Sequence, residues 1–209
     1  MRWFRVLKGP SPDTGAYRDW KERLAEEARH QCVYCAIEEG RFGGYRNFHV
    51  EHFRPKSRFP ALEHSYPNLF YACAVCNAFK SNDWIECVLS PDVACYPDPS
   101  ARDYGELLAV GTAGQIEGKG LAGKYIVERL FLNRPQLLLE RRLVEFEERA
   151  RAEASRIRAL AQELLRPGVD EECRNDGIRL LAETAGLIGL QTRFASGVPY
   201  RPADLARQA

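Results

Sequence analysis

The chain has 209 residues, 45% of them hydrophobic and 28% charged, the composition of a folded soluble protein and not of a disordered tail. Its formal net charge is +1, so affinity for nucleic acid must rest on local charge and not on the field of the whole molecule. No run approaches the roughly 18 apolar residues of a membrane span, and the basic N-terminus MRWFRVLKGP lacks the apolar stretch of a secretory signal, so a cytoplasmic location is expected.

Tyr17, Trp20, Leu24 and Ala28 recur at helical spacing among charges, which predicts an amphipathic helix over 16–29. RFGGYRNFHVEHF then reads as a glycine turn and a short strand with Phe48, Val50 and Phe53 as its apolar members. The three prolines of RPKSRFPALEHSYPNL make that segment a loop, and AVCNAFKSND can form a short helix. From Pro91 to Gly123 the chain is rich in Pro, Gly and Asp, with a hairpin expected around ELLAVGTAGQIEG. Beyond it, 124–132 and 135–166 are helical, with Pro135 in a first turn. RPGVD breaks the run, and Asp170 is placed to cap a further helix reaching about Leu190. The expected organisation is α+β, with an N-terminal module over 1–90, a connector over 91–123 and a helical region over 124–209.

Seven cysteines are many for a reducing compartment, and an odd number suits a complete disulfide framework poorly. Four fall into two C-x2-C pairs, Cys32 with Cys35 and Cys73 with Cys76. Together the pairs can supply the four thiolates of a tetrahedral zinc site. A redox role would need only one pair, and no thioredoxin-like strand and helix surrounds either. Four thiolates leave no open coordination position, so the expected zinc is structural. Cys87, Cys95 and Cys173 show no pairing pattern and read as buried fillers or incidental thiols.

Between the pairs, CVYC, HVEHFRPKS and YPNLFYACAVCNAFK resemble the HNH endonuclease family in its zinc-bearing form, over about Gln31 to Asp83. The resemblance implies a ββα-metal unit in which His52 is the general base. It makes Glu51 and Asn77 ligands of a catalytic cation and Asn68 a brace that orients His52. Lys80, one helical turn after Asn77, is placed to meet a phosphate oxygen. These residue types suit the chemistry. Phosphodiester hydrolysis needs an activated water and a cation near the departing oxygen. An imidazole with a pKa of about 6.5 is a good base near neutrality. Asparagine at 77, where many family members carry histidine, turns the expected metal from zinc toward Mg2+ or Mn2+. Glu51 stands where aspartate is more usual and keeps the ligand type.

His49 shares a strand face with Glu51, so it can support that carboxylate, touch substrate or merely cover the sheet. His64 reads as a surface residue. Arg54, Lys56 and Arg58 are either a solvated edge or a patch that grips phosphate. More narrowly, EHFRPKS and KYIVERLFLNRPQLLLERR resemble the HNH nuclease of Septu-type anti-phage systems, which implies DNA as substrate and an ABC/SMC-like ATPase as partner. On that analogy the helical region, with Leu130, Leu132, Leu137 and Leu138, packs on the module and offers a docking surface. Leucines at helical spacing are more often core, however. ERRLVEFEERARAEASR reads as a solvated helix with i,i+4 ion pairs. Two rivals stand beside the DNA endonuclease: a non-catalytic zinc-stapled binding module and an RNA-cleaving, toxin-like nuclease.

Overall fold

The computed structural model describes residues 2–87 and 93–193. Pro91, where the connector was expected to begin, and the chain after residue 193 lie outside them. Two compact units divide the chain, one reaching to Glu140 and the other beginning at Arg141.

Helix α1 (Lys21–Glu27) is shorter than the pattern over 16–29 predicts. Asp19 accounts for this, because its carboxylate takes the Ala16 N–H at 2.8 Å while the Ala16 carbonyl takes the Asp19 N–H at 2.9 Å. A side chain that offers the backbone a local turn competes with helix. Trp20 Nε1 then donates to the Thr14 carbonyl at 2.9 Å and secures the turn. What remains of the helix buries Leu24 and Ala25.

Strands β1 (Phe48–His52) and β2 (Leu69–Cys73) pair antiparallel, with Phe48 opposite Cys73 and His52 opposite Leu69. Gly43 and Gly44, at φ 75° and 78°, make the turn that delivers β1, a conformation glycine adopts without a Cβ clash. Helix α2 (Ala74–Lys80) follows β2 with no intervening loop, and the Cys73 sulfur caps it by accepting the Cys76 N–H at 3.4 Å. The result is a ββα unit, as the resemblance implied.

Among the described residues of this first unit five tyrosines are buried, and each hydroxyl has a partner. Tyr34 donates to Glu51, Tyr66 to Glu27, Tyr71 to Glu39, Tyr96 to Asp83 and Tyr104 to the Pro97 carbonyl. Large rings thus fill the core without leaving their polar tips unsatisfied. The core does not end near residue 90. Tyr96, Tyr104, Leu108 and Ile116, from the expected connector, join the same cluster, and so do Ile126, Leu130, Leu132 and Leu137. Asp83 ties these parts together, accepting from Tyr96, Tyr125 and Arg129. The proline and glycine content that suggested a linker instead serves tight turns within a packed unit.

Helix α3 (Tyr104–Leu107) leads into the expected hairpin, β3 (Leu108–Val110) with β4 (Ile116–Gly118). Helix α4 (Gly120–Arg129) lies against β4 at glycine contact, since a Cβ on Gly118 would stand 2.2 Å from the Gly123 carbonyl carbon. Helix α5 (Pro135–Leu164) begins at the expected proline and crosses the division between the units. In the second unit, α6 (Glu171–Arg193) starts with Asp170 accepting the Cys173 N–H at 3.0 Å. Arg151–Glu147 and Arg156–Glu153 pairs decorate α5. No helix among the described residues is long and apolar enough to cross a membrane.

The unpaired reading of the remaining cysteines needs correction. Cys87 and Cys95 form a disulfide with Cα atoms 5.4 Å apart, a pairing that no spacing rule suggests. Cys173 is a free, exposed thiol, which fits the incidental of its two readings.

Candidate active site and metal centre

The four paired cysteines converge. Their sulfurs lie within 4.8 Å of one another, all fully buried, with Cys35 and Cys73 sulfurs 3.8 Å apart. A tetrahedral zinc with Zn–S bonds of about 2.3 Å has sulfur–sulfur edges of about 3.8 Å, so the cage fits that ion. Soft thiolates without an oxygen donor are the chemistry such an ion prefers. The first pair sits in a knuckle where Ala36 adopts φ 56° and its N–H returns to the Cys32 carbonyl at 2.9 Å. The second pair straddles the junction of β2 and α2. Arg134 Nη2, which no motif singles out, reaches the Cys76 sulfur at 3.6 Å and sets a positive charge against the cysteine cluster.

Glu51 lies on the face of β1 opposite to that of His52 and is 3% exposed. Its Oε1 accepts from Lys80 Nζ at 2.7 Å and from the Tyr34 hydroxyl at 3.2 Å. Oε2 takes no hydrogen bond from the described residues. Burial pushes the Glu51 carboxyl above the ordinary carboxylate range, opposed by the Lys80 ammonium and the Tyr34 hydroxyl. Lys80 is itself fully buried, and its ammonium also donates to the His52 carbonyl at 3.2 Å. The expected phosphate contact is therefore corrected. Lys80 belongs to a buried ion pair under the strand, because an ammonium with no solvent exposure is spoken for by the carboxylate beside it.

His52 is fixed through its Nε2, 3.1 Å from the Glu63 carbonyl oxygen. A carbonyl only accepts, so Nε2 carries the hydrogen and the neutral ring keeps its lone pair on Nδ1. Burial pushes the His52 pKa below the ordinary imidazole value, with the Glu63 carbonyl opposing, so the ring is neutral at pH 7. The Tyr17 ring and the imidazole form a T-shaped pair at a centroid distance of 4.8 Å.

Asn68 makes a two-sided brace. Its Oδ1 accepts the Arg54 N–H at 2.8 Å, and its Nδ2 donates to the carbonyls of Arg54 at 3.1 Å and Leu62 at 3.3 Å. These bonds hold both ends of the loop whose Glu63 carbonyl fixes His52. Asn77, on α2, places its amide nitrogen 3.3 Å from His49 Nδ1. His49 is thus engaged with Asn77, and no contact joins it to the Glu51 carboxylate.

Tyr17, Glu51, His52, Lys56 and Asn77 share the lining of one cavity of about 370 Å³. Asn68, Lys80, His49 and Arg54 are not among its walls. Lys56 pairs with Glu63 at 3.1 Å, the Arg54 guanidinium stands 5.6 Å from the Trp84 ring, and Arg58 donates to the Trp84 carbonyl at 2.7 Å. The basic run is thus individually anchored on the surface. Tyr17 and Tyr34 escaped the sequence reading. The first looked like a core position of a helix, and the second is one of the two residues spacing a metal pair.

Residues 32–83 match the HNH endonuclease family. That segment holds both cysteine pairs, the ββα unit, and Glu51, His52, Asn68 and Asn77, so the match and the geometry coincide on one region. No curated protein and no solved structure gives a match. The HNH segment leaves out Tyr17, which lines its cavity, and Arg134, which reaches its thiolates.

Proposed function

We propose that this chain is a metal-dependent endonuclease that hydrolyses DNA phosphodiester bonds, with His52 as general base and Glu51 and Asn77 as ligands of a catalytic Mg2+ or Mn2+. The observation that carries the reading is the His52 hydrogen bond to the Glu63 carbonyl. It holds a neutral imidazole in the tautomer whose Nδ1 can take a proton from water, at the wall of a cavity that Glu51 and Asn77 share. Both residues offer hard oxygen donors, and Glu51 retains Oε2 for that purpose. The bound cation would offset negative charge growing on the departing oxygen. Asn68 acts one step removed, by holding the loop that holds His52. The buried zinc centre serves the fold, bringing the loop after α1 to the start of α2.

The reading extends to anti-phage defence with an ABC/SMC-like ATPase partner, supported by the resemblance of EHFRPKS and the 124–142 stretch to Septu-type nucleases. An ATPase encoded beside this chain and co-purifying with it is the expected finding; a free-standing gene would detach the defence role from the nuclease. Cleavage itself is tested with duplex DNA, single-stranded DNA and RNA supplied in parallel with Mg2+ or Mn2+. Wild type should nick a plasmid, and His52→Ala should stay folded and leave it intact. Equal cutting by the variant would end the assignment, and preferential cutting of RNA would move the substrate class.

A further inference from the structure

Tyr17 stands outside the matched segment, in the turn before α1, yet it forms part of the wall of the cavity beside His52. Several contacts converge on it, among them the tilted His64 ring at a centroid distance of 5.7 Å. Its ring and the His52 imidazole form a T-shaped pair, at 4.8 Å and 71°. Its hydroxyl accepts from Arg18 Nε at 3.1 Å. Lys56 Nζ lies 5.2 Å from its ring centroid. The turn that carries it is fixed by Asp19 and by the Trp20 indole, whose ring in turn packs on buried Tyr66. Tyr17 is therefore presented to the cavity by a backbone with its own hydrogen bonds.

We propose that Tyr17 is a positioning residue of the nuclease site, clamping the His52 imidazole while holding Arg18 at the cavity rim to receive a phosphate of the nucleic-acid backbone. This rests on the nuclease reading. The imidazole has its Nε2 tied to the Glu63 carbonyl, a single hinge-like bond that leaves the ring free to tilt about it. The Tyr17 ring removes that freedom, which matters because a base acts only when its lone pair is aimed at the water it deprotonates. At the rim, Glu63 pairs with Lys56 and neutralises it. Arg18 donates to a neutral hydroxyl and feels the Glu63 carboxylate through space without an ion pair to it, so its guanidinium retains its charge and its forked donors for a phosphate.

Three full-length variants test this, Tyr17→Ala, Tyr17→Phe and Arg18→Ala. Tyr17→Ala should lower kcat about tenfold with little change in KM, and Tyr17→Phe, which keeps the ring, should recover most of the loss. Arg18→Ala should act on KM. In the His52→Ala background, which binds without cutting, it should also flatten the dependence of log K on log salt for duplex DNA by about 0.9, the share of one phosphate contact. The nitrogen shifts of the His52 ring report the clamp without any turnover, moving from one tautomer to a mixture in Tyr17→Ala as the freed ring tilts and loosens its Nε2 bond to the Glu63 carbonyl. A wild type that binds DNA but never cuts it would remove the nuclease reading and leave the salt slope and the ring shifts to judge this one. Unchanged ring shifts in Tyr17→Ala, equal damage from Phe and Ala, or an unaltered salt slope in Arg18→Ala would each overturn it.

Discussion

Replacing Lys80 by methionine should destabilise the first unit strongly while leaving its shape intact. Methionine fills nearly the same volume, so the change isolates the charge. Lys80 has no solvent exposure, and its partner Glu51 is 3% exposed. Without the ammonium, the 2.7 Å ion pair and the 3.2 Å bond to the His52 carbonyl are both lost. Breaking one side of a buried pair costs about 3–5 kcal/mol, because the remaining charge has no water to turn to. At a denaturant slope of about 2 kcal/mol per molar, the urea midpoint should fall by about 2 M. The Glu51 carboxyl, already pushed up by burial, loses its main opposing charge and should take up a proton at neutral pH. A second change, Glu51→Leu, removes that stranded group, so the double variant should recover most of the lost stability. Urea unfolding of wild type, both single variants and the double variant measures the coupling. A loss below about 1 kcal/mol for Lys80→Met, or a double variant as unstable as the sum of the singles, would show that the pair is not a buried unit.

Metal analysis should find one zinc per chain, and a strong chelator or Cys76→Ser should melt the first unit, since the thiolate cage is its link between the α1 end and α2. Asn68→Ala removes three hydrogen bonds and should cost about 2–3 kcal/mol in thermal or urea unfolding, together with a fall in kcat as the Glu63 carbonyl drifts. Asp83→Asn should cost about 2 kcal/mol at pH 7, where the carboxylate serves Tyr96, Tyr125 and Arg129. Burial pushes the Asp83 carboxyl up, but Arg129 and the two hydroxyls outweigh it and leave its folded pKa below the ordinary value of 3.8. A depressed folded pKa means that this stability is complete above about pH 4 and disappears as pH falls through the folded value, so wild type and variant should converge there in unfolding titrations.

The four-cysteine cluster was legible because C-x2-C pairs place sulfurs by local turn geometry, whatever the rest of the chain does. The ββα order, and the expectation that Glu51, His52, Asn68 and Asn77 lie along it, came from the resemblance of HVEHFRPKS and YPNLFYACAVCNAFK to the HNH family, a motif that runs over consecutive elements. What escaped is non-local. Nothing in AVCNAFK says that its last residue turns inward to a carboxylate 29 positions earlier, so Lys80 looked like a cation facing substrate. The Cys87–Cys95 bridge follows from no spacing rule, and the place of Tyr17 depends on an Asp19 turn that shortens the helix expected around it. The connector was misjudged because its prolines and glycines were read as a linker, whereas its alternating large residues, Tyr96, Tyr104, Leu108 and Ile116, fill one side of the core.

These non-local contacts also explain how so small a sheet can hold an imidazole in place. Two strands of five residues are marginal by themselves. His52 is restrained from several directions at once: by pairing with Leu69 across the ladder, by the Glu63 carbonyl through the Asn68-braced loop, and by Lys80 on its own carbonyl. The restraints originate on β2, on the loop and on α2, and the four-cysteine cluster sets β2 and α2 against the knuckle before β1. Loosening any one element should therefore be felt at the imidazole before the fold as a whole gives way. A sub-denaturing dose of urea should erode the rate of cutting at concentrations where the tyrosine core still reports a folded protein. Coincident loss of activity and core signal would instead mean that the site and the core unfold as one.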